Sequence, residues 1–345
     1  MILVCGEALL DMLPDPAQSP GGRPARFVAL PGGSPANTAV ALARLGTSSA
    51  LAARISGGPL GTLLREHLLA NGVDMSFAVD ATELASLAFP SIGPDGSASY
   101  SFYVAGTADW QWTSSELPSD LPEMVTALHT GSVAAAMAPG WEVIAAWFRS
   151  HRGKRLLSFD PNVRPGLVGT PEAALVKVEE FAACVDVMKA SADDLAWLCP
   201  GRSIDEVAVS WRQIGAALVV VTLGASGCVA YGAGAAVRRP APEVAVVDTV
   251  GAGDAFTAGL LHHLEREGLT TAVRDRALDD EALGEALEYA SAVAALACTK
   301  PGADPPRADE VERLRAGRSV AVDRRDHAGA ATGAARREEH GCDSG

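Results

Sequence analysis

Short apolar runs alternate along this chain with stretches in which apolar residues return every three or four positions. Ile2-Leu3-Val4-Cys5 has the length and branching of a buried strand. Leu9-Leu10-Asp11-Met12-Leu13 is a second strand-like run, broken by one acid. Beyond a Pro- and Gly-rich loop at 14–25, Arg26–Leu30 is a third. A helix follows, with Ser34 as its cap, Pro35 at its first position and Gly46 past its end. Ala50–Ile55 reads as strand, and Leu60–Asn71 as a helix that Gly72 ends. Leu84–Ile92 and Ser99–Val104 flank the turn Gly93-Pro94-Asp95-Gly96.

The βα rhythm then becomes regular. Strands are expected at Ala127–Gly131, Arg155–Phe159 and Val185–Lys189, with helices at Trp141–Arg149 and Pro171–Cys184. The uncharged stretch Ala216–Val237 is long enough to raise the question of a membrane span. Gly224-Ala225-Ser226-Gly227 splits it into strand-length pieces, Leu218–Leu223 and Cys228–Tyr231, so no span is expected. Val244-Ala245-Val246-Val247 predicts another buried strand, followed by a Gly-rich turn and a helix from Ala255 to Leu264. Ala282–Cys298 predicts a helix packed on an Ala-rich face. The order implies an α/β fold: a mostly parallel, doubly wound sheet flanked by helices. Residues 1–315 then form one domain, and the hairpins at about 9–31 and 84–106 break its rhythm. Beyond Arg315 the pattern decays into Gly, Ala and charge, so 316–345 is expected to be a disordered tail.

Composition narrows the partners. With 345 residues and 48% hydrophobic residues the chain has ample material for a core. A formal net charge of −14 argues against a nucleic-acid partner, because no basic surplus exists to neutralise phosphates. Six cysteines lie scattered without a C-x-x-C, and Cys5 and Cys228 sit in apolar runs as buried thiols. The chain starts at Met1-Ile2-Leu3-Val4 without a charged leader, which makes the cytoplasm the expected compartment.

The chemistry concentrates at Asp248-Thr249-Val250-Gly251-Ala252-Gly253-Asp254-Ala255-Phe256. Two glycines free the backbone for a tight turn into a helix and for close approach by a ligand. The first N–H groups of that helix lack internal partners and sit at the positive end of its dipole, so anions are favoured there. Asp254 would repel a phosphate. It suits a base that takes a proton from a hydroxyl about to attack phosphorus, and equally suits an ordinary helix N-cap. A dinucleotide fingerprint fits poorly, since its third glycine falls on Phe256. Pro31-Gly32-Gly33-Ser34-Pro35-Ala36-Asn37 is a second Gly-rich entry to a helix, with bare backbone and an amide suited to hydroxyls.

These two stretches together resemble the paired signatures of the PfkB (ribokinase-like) carbohydrate kinase family. Cys5-Gly6-Glu7-Ala8-Leu9-Leu10-Asp11-Met12-Leu13-Pro14 and Asp160-Pro161-Asn162-Val163-Arg164-Pro165 resemble its fructokinase branch. The likeness runs in order from residue 2 to about residue 306. It implies a ribokinase-like fold in which the hairpins form a small β-sheet lid. It also implies ATP as co-substrate with Mg²⁺, and transfer of the γ-phosphoryl group to a sugar hydroxymethyl. Asp254 becomes the base, with the amides of Gly251, Ala252 and Gly253 as anion hole. Asp11, Gly32, Gly33, Asn37, Tyr103, Asn162 and Arg164 become substrate-side residues. Lys189, Thr222, Gly224, Gly227 and Gly302 fall on the nucleotide side. Lys189-Ala190-Ser191-Ala192-Asp193-Asp194 occupies the family's N-x-x-E region, with Ser191 for the Asn and Asp194 for the Glu, so Asp194 would meet Mg²⁺ through water. Asp248 and Val250 fall where many members hold a monovalent cation such as K⁺. Val104 stands where relatives acting on keto-deoxy acids carry Arg, and Ser34 where sugar-phosphate kinases often have Lys, which favours a neutral sugar. The resemblance therefore implies a fructokinase. The alternatives are a kinase of ribose, 2-keto-3-deoxygluconate or a nucleoside, and a catalytically silent sugar- or nucleotide-binding regulator. Sugar and ATP are the expected partners, a membrane is not, and a homodimer stays open.

Overall fold

The computed structural model describes residues 1–15, 26–92 and 98–317. The turn expected at Gly93–Gly96, most of the 14–25 loop and the tail from residue 318 lie outside the described residues.

The chain opens with β1 (Ile2–Cys5), β2 (Leu9–Pro14), β3 (Phe27–Gly32), α1 (Ser34–Arg44), β4 (Ser49–Ala52) and β5 (Arg54–Ser56). After α2 (Gly58–Ala70) come β6 (Val79–Ala81), β7 (Leu87–Ile92) and β8 (Ala98–Tyr103). The alternating part runs β9 (Ala127–Gly131), α3 (Gly140–His151), β10 (Leu156–Asp160), α4 (Pro165–Val168), α5 (Pro171–Ala182), β11 (Val187–Ser191), α6 (Ala192–Leu198), α7 (Ile204–Ile214) and β12 (Leu218–Thr222). β13 (Cys228–Tyr231) and β14 (Ala236–Arg239) precede α8 (Ala252–Arg266), α9 (Thr270–Arg274), α10 (Asp280–Ala297) and α11 (Ala308–Arg315).

The main sheet has eight strands in the order β14-β13-β12-β11-β10-β9-β1-β4. From β4 to β12 every pairing is parallel, and β13 and β14 add an antiparallel edge. A parallel sheet covered on both faces needs apolar residues at every position, which is why these strands read as continuous runs. β1 shows the division. Ile2 and Val4 join a core with α1, α8 and α10, while the alternate Leu3 and Cys5 join a second core with α3, α5 and α7. The strands from β9 to β12 end on one edge, and the Gly-rich entries to α1 and α8 meet there.

The lid is a separate four-stranded sheet, β3-β2-β7-β8. β2 pairs antiparallel with β3 and parallel with β7, and β7 pairs antiparallel with β8. This is the doubly wound sheet with a small β lid that the sequence implies.

Two expectations change. The run Ala50–Ile55 divides at Ala53, because β4 stays in the main sheet while β5 turns to pair with β6. Val244–Val247 forms no strand, and Val246 and Val247 are each 63% exposed. β-branched residues favour extended backbone, but burial needs a sheet edge. Here the Val247 N–H bonds instead to the Cys298 carbonyl at 2.8 Å, and the segment passes over the surface.

α8 packs on α10 through Gly259, where an added Cβ would stand 2.9 Å from the Ala290 Cα and 3.1 Å from the Val293 Cβ. Gly259→Ala gains about 1 kcal/mol in helix propensity. Overpacking against backbone costs about 1–3 kcal/mol. Packing should win, and thermal unfolding should show a melting temperature lowered by a few degrees. A raised melting temperature would mean that the two helices part freely.

Candidate active site

α8 begins in an unusual way. Its cap is Gly251 in the left-handed region, φ 75°, and an added Cβ there would lie 2.8 Å from the Ala303 Cβ. Ala252 is the first helical residue, so Asp254 is the third and not the cap. Its carboxylate therefore stays free of local capping and points into the protein, 5% exposed. Three donors from distant stretches meet it. The Ser34 hydroxyl donates to Oδ1 at 2.6 Å, the Asn37 amide to Oδ2 at 2.9 Å, and the Asn162 amide to Oδ1 at 3.4 Å. Ser34 is not the α1 cap that the sequence suggests: Gly33, φ 103°, holds that place, and an added Cβ there would sit 2.7 Å from the Glu7 carbonyl oxygen. At the α8 turn the Ala252 N–H is bonded to the Thr249 carbonyl at 3.2 Å and is therefore engaged within the turn.

The strand ends supply charge. Lys189 of β11 and Asp160 of β10 form a buried ion pair at 2.7 Å. An added Cβ on Gly253 would lie 3.1 Å from the Lys189 Nζ, which puts the ammonium beneath the start of α8. Lys189 is thus a buried cation behind the turn. Asn162 adopts φ 36°, a conformation that Asn tolerates better than most residues, and its N–H is fixed by the Asp160 Oδ1 at 3.1 Å. Arg164 donates to the Asn162 side-chain oxygen at 2.7 Å and to the carbonyls of Asn162 and Val163 at 3.1 Å.

Burial pushes the Asp254 carboxyl above the usual carboxylate range. Ser34 and Asn37 oppose that shift through their hydrogen bonds, and Lys189 and Arg164 oppose it through charge. Burial opposes the Lys189 charge as well, but Asp160, Asp194 and Asp254 outweigh it and its pKa rises. Asp11 is raised to about 6 by burial, with Arg164 working downwards and Asp254 upwards. The site therefore groups four carboxylates, Asp11, Asp160, Asp194 and Asp254, around the cations Lys189 and Arg164.

Asp11 enters from the lid. An added Cβ on Gly32 would collide with its carboxylate, so Gly32 makes room for it. The register sets Asp11 beside Leu30 and Ala88, and Ala88 beside Phe102. Tyr103 pairs with Leu87 and so belongs to the opposite face. It is 63% exposed and meets the Phe89 ring at 5.2 Å. Tyr103 is thus not brought to the site. Tyr100 shares the Asp11 face, stacks on Phe102 at 5.8 Å, and has its hydroxyl pKa raised by burial and then by Asp11. Sequence reasoning missed Tyr100. The alternation of β8 was visible, but which alternate faces inward depends on the register with β7.

The nucleotide-side residues gather further along. Asp248 accepts the Val250 N–H at 3.1 Å on Oδ1 and the Gly302 N–H at 2.8 Å on Oδ2, so one carboxylate joins the two loops. Arg44, at the end of α1, holds the Gly302 loop through Asp304 and the Pro305 carbonyl, and holds α2 through Asn71. Thr222 ends β12, and Gly224 and Gly227 turn the chain with φ 57° and 91°. An added Cβ on Gly227 would press on the Pro240 and Ala241 backbone. Beside this turn opens a cleft of about 720 Å³ lined by Arg239, Pro240, Pro242, Glu243, Ser291 and Ala292.

Asp194 is held by local donors. Its Oδ1 accepts the Val163 N–H at 2.8 Å, and its Oδ2 accepts the Ser191 N–H at 2.9 Å and hydroxyl at 2.6 Å. It caps α6 with Ser191 and pins the Asn162–Arg164 loop. Among the described residues no group of three or more His, Cys, Asp or Glu is arranged to hold a metal ion. The arrangement can deprotonate a hydroxyl beside the start of a helix that favours anions.

The model of the pfkB family carbohydrate kinases matches residues 1–310. A fructokinase of Rhizobium leguminosarum bv. trifolii is 38% identical over 284 residues, covering 82% of this chain and 85% of that protein. The crystal structure of a Xylella fastidiosa fructokinase with bound ATP superposes with a TM-score of 0.82 at 30% identity, covering 92% of this chain and 98% of the other. A double-mutant fructokinase of Vibrio cholerae O395, in a form with fructose, ADP and potassium ion bound, superposes with a TM-score of 0.74 at 29% identity over 88% of this chain and 93% of the other.

Asp254→Asn keeps the shape of the buried group and removes its basicity. Turnover should fall by roughly 10²–10⁴-fold or more. Nucleotide affinity, measured by calorimetry, should persist, and melting should stay level or rise because a buried charge is gone. In the native protein the base works only when ionised. Its raised pKa puts the acid limb of kcat/KM above the ordinary range of about 4, with activity lost as pH falls through that limb. Near-normal turnover of the variant would exclude Asp254 as the base.

Proposed function

The chain belongs to the pfkB family of carbohydrate kinases, and we propose that it is an ATP-dependent fructokinase that converts D-fructose to fructose 6-phosphate. The buried, triply hydrogen-bonded Asp254 at the start of α8 is the observation that supports this most strongly. The hydroxymethyl O–H bond breaks as its oxygen bonds to the γ-phosphorus of ATP. The proton goes to Asp254, the P–O bond to the β-phosphate breaks, and ADP leaves with that electron pair. Arg164, Lys189 and the amides at the start of α8 offset charge on the transferring group. Asp11 and Asn37 hold the remaining sugar hydroxyls, and Tyr100 closes the lid side. The nucleotide lies along the Thr222–Gly227 turn and the Gly302 loop, with its base in the neighbouring cleft.

Magnesium enters as the counter-ion of ATP. Asp194 is tied to the Val163 and Ser191 donors, and a water on the remaining Oδ1 lone pair would link it to the ion. Asp248 is the carboxylate that would stand by a potassium ion beside Val250 and Gly302, and the potassium-bound form of the Vibrio cholerae relative supports a metal ion in such an enzyme. Val104 supports a neutral sugar. It is buried in a small apolar cluster with Trp110 and Val133, so this position adds no positive charge beside the sugar.

A coupled ADP assay over a panel of sugars tests the substrate. D-Fructose should give the highest kcat/KM against ribose, 2-keto-3-deoxygluconate, adenosine and fructose 6-phosphate. A preference for an acidic or phosphorylated sugar would overturn the assignment. Asp11→Ala removes a charged hydrogen bond worth roughly 1.5–3 kcal/mol, so the sugar KM should rise on the order of 10–150-fold while the ATP KM barely moves. An effect mainly on ATP would place Asp11 on the wrong side of the site.

A further inference from the structure

The shortest contact of the base comes from a residue with no local duty. Ser34 is the first helical residue of α1, where its hydroxyl could have bonded to the nearby backbone. It is 8% exposed and reaches instead to the Asp254 Oδ1 at 2.6 Å, across 220 residues of sequence. The other donor to Oδ1, Asn162, stands at 3.4 Å. α1 has no side-chain cap bond to lose, and Pro35 follows at once, so the hydroxyl contributes little to the helix itself. From this geometry we infer that Ser34 is a positioning residue for the phosphoryl-transfer step, holding the Asp254 carboxylate ionised and aimed without touching the sugar. The inference rests on the kinase reading given above.

The physical argument is one of protonation state. A hydroxyl that donates to a carboxylate stabilises the ionised form over the protonated one, because protonation of the same oxygen removes the acceptor. The neighbouring charges do not replace it. Asp11 from β2 and Asp160 from β10 disfavour a further negative charge, and Lys189 from β11 and Arg164 from the loop after β10 favour it. Lys189 is already paired with Asp160, and Arg164 is engaged by Asn162 and Val163. With Oδ1 fixed by Ser34, Oδ2 keeps the lone pair that Asn37 does not occupy for the incoming hydroxyl.

The test is the pH dependence of fructose phosphorylation in Ser34→Ala, Ser34→Thr, Asp254→Asn and the Ser34→Ala/Asp254→Asn double variant. In Ser34→Ala the acid limb should move up by about one pH unit, equivalent to one charge-assisted hydrogen bond. The kcat deficit should be on the order of tenfold below that limb and shrink above it, with the sugar KM and ATP KM nearly unchanged. Ser34→Thr, which keeps the hydroxyl, should restore the limb. In the Asp254→Asn background the Ser34→Ala change should cost nothing more. An unmoved acid limb, a deficit equal at every pH, a raised sugar KM with kcat spared, or additive losses in the double variant would each overturn the inference. An unaltered enzyme that phosphorylates no sugar would instead overturn the kinase reading, so the two failures are separable.

Discussion

A carboxylate that must stay ionised away from water constrains everything near it. Asp254 meets that requirement by drawing three donors from two remote stretches, the first turn of α1 and the loop after β10, onto the first turn of α8. The first turn of α1 supplies two of these donors, and the loop after β10 supplies the third. The parallel order of β9, β10 and β11 brings Asp160, Asn162 and Lys189 to one edge, and the shared core of α1 and α8 brings Ser34 and Asn37 opposite them. Desolvation raises the energy of the charged form, and the donors return part of it. The result is a buried carboxylate whose pKa is raised by burial and held down by its donors and by the charges of Lys189 and Arg164.

The second level of organisation is the joining of the sugar side to the nucleotide side. Arg44 stands at the far end of the helix whose first turn carries Ser34 and Asn37, and it grips the loop that carries Gly302. Asp248 then ties that same loop to Val250, just before the start of α8. Movement of either Gly-rich entry is thus mechanically shared with the other. Exposed valines at 246 and 247 leave this side open, whereas the lid covers the sugar side with Asp11 and Tyr100.

Much of this was legible in the residues. The alternation of apolar runs and helical spacing announced a parallel sheet, because strands buried on both faces tolerate no polar alternation. Glycine pairs before Ser34 and Asp254 announced the two helix entries, because only glycine accepts the backbone that Gly33 and Gly251 adopt. What stayed hidden depends on where chains meet. Val244–Val247 had the composition of a buried strand but no edge to join. Ser34 looked like a cap because capping is local, and its true partner is remote. Tyr103 and Tyr100 exchanged places because strand register decides which alternate faces inward. Asp194 resembled a metal residue by position, and the donors that its two oxygens accept from α6 and the Arg164 loop show only in the fold.

The lid's construction restricts how such an enzyme can change over generations. Asp11 lies on a strand held on both sides, by β3 in one direction and β7 in the other. A single inserted or deleted codon within β2 would turn Asp11 to the outer face together with every other side chain of the strand. Changes on the Asp11 face of the lid therefore arise by point replacement at alternate positions, among them 11, 30, 88, 100 and 102. Changes of length are confined to the connections between strands, so Asp254 and its partners can be inherited intact while the lid face drifts.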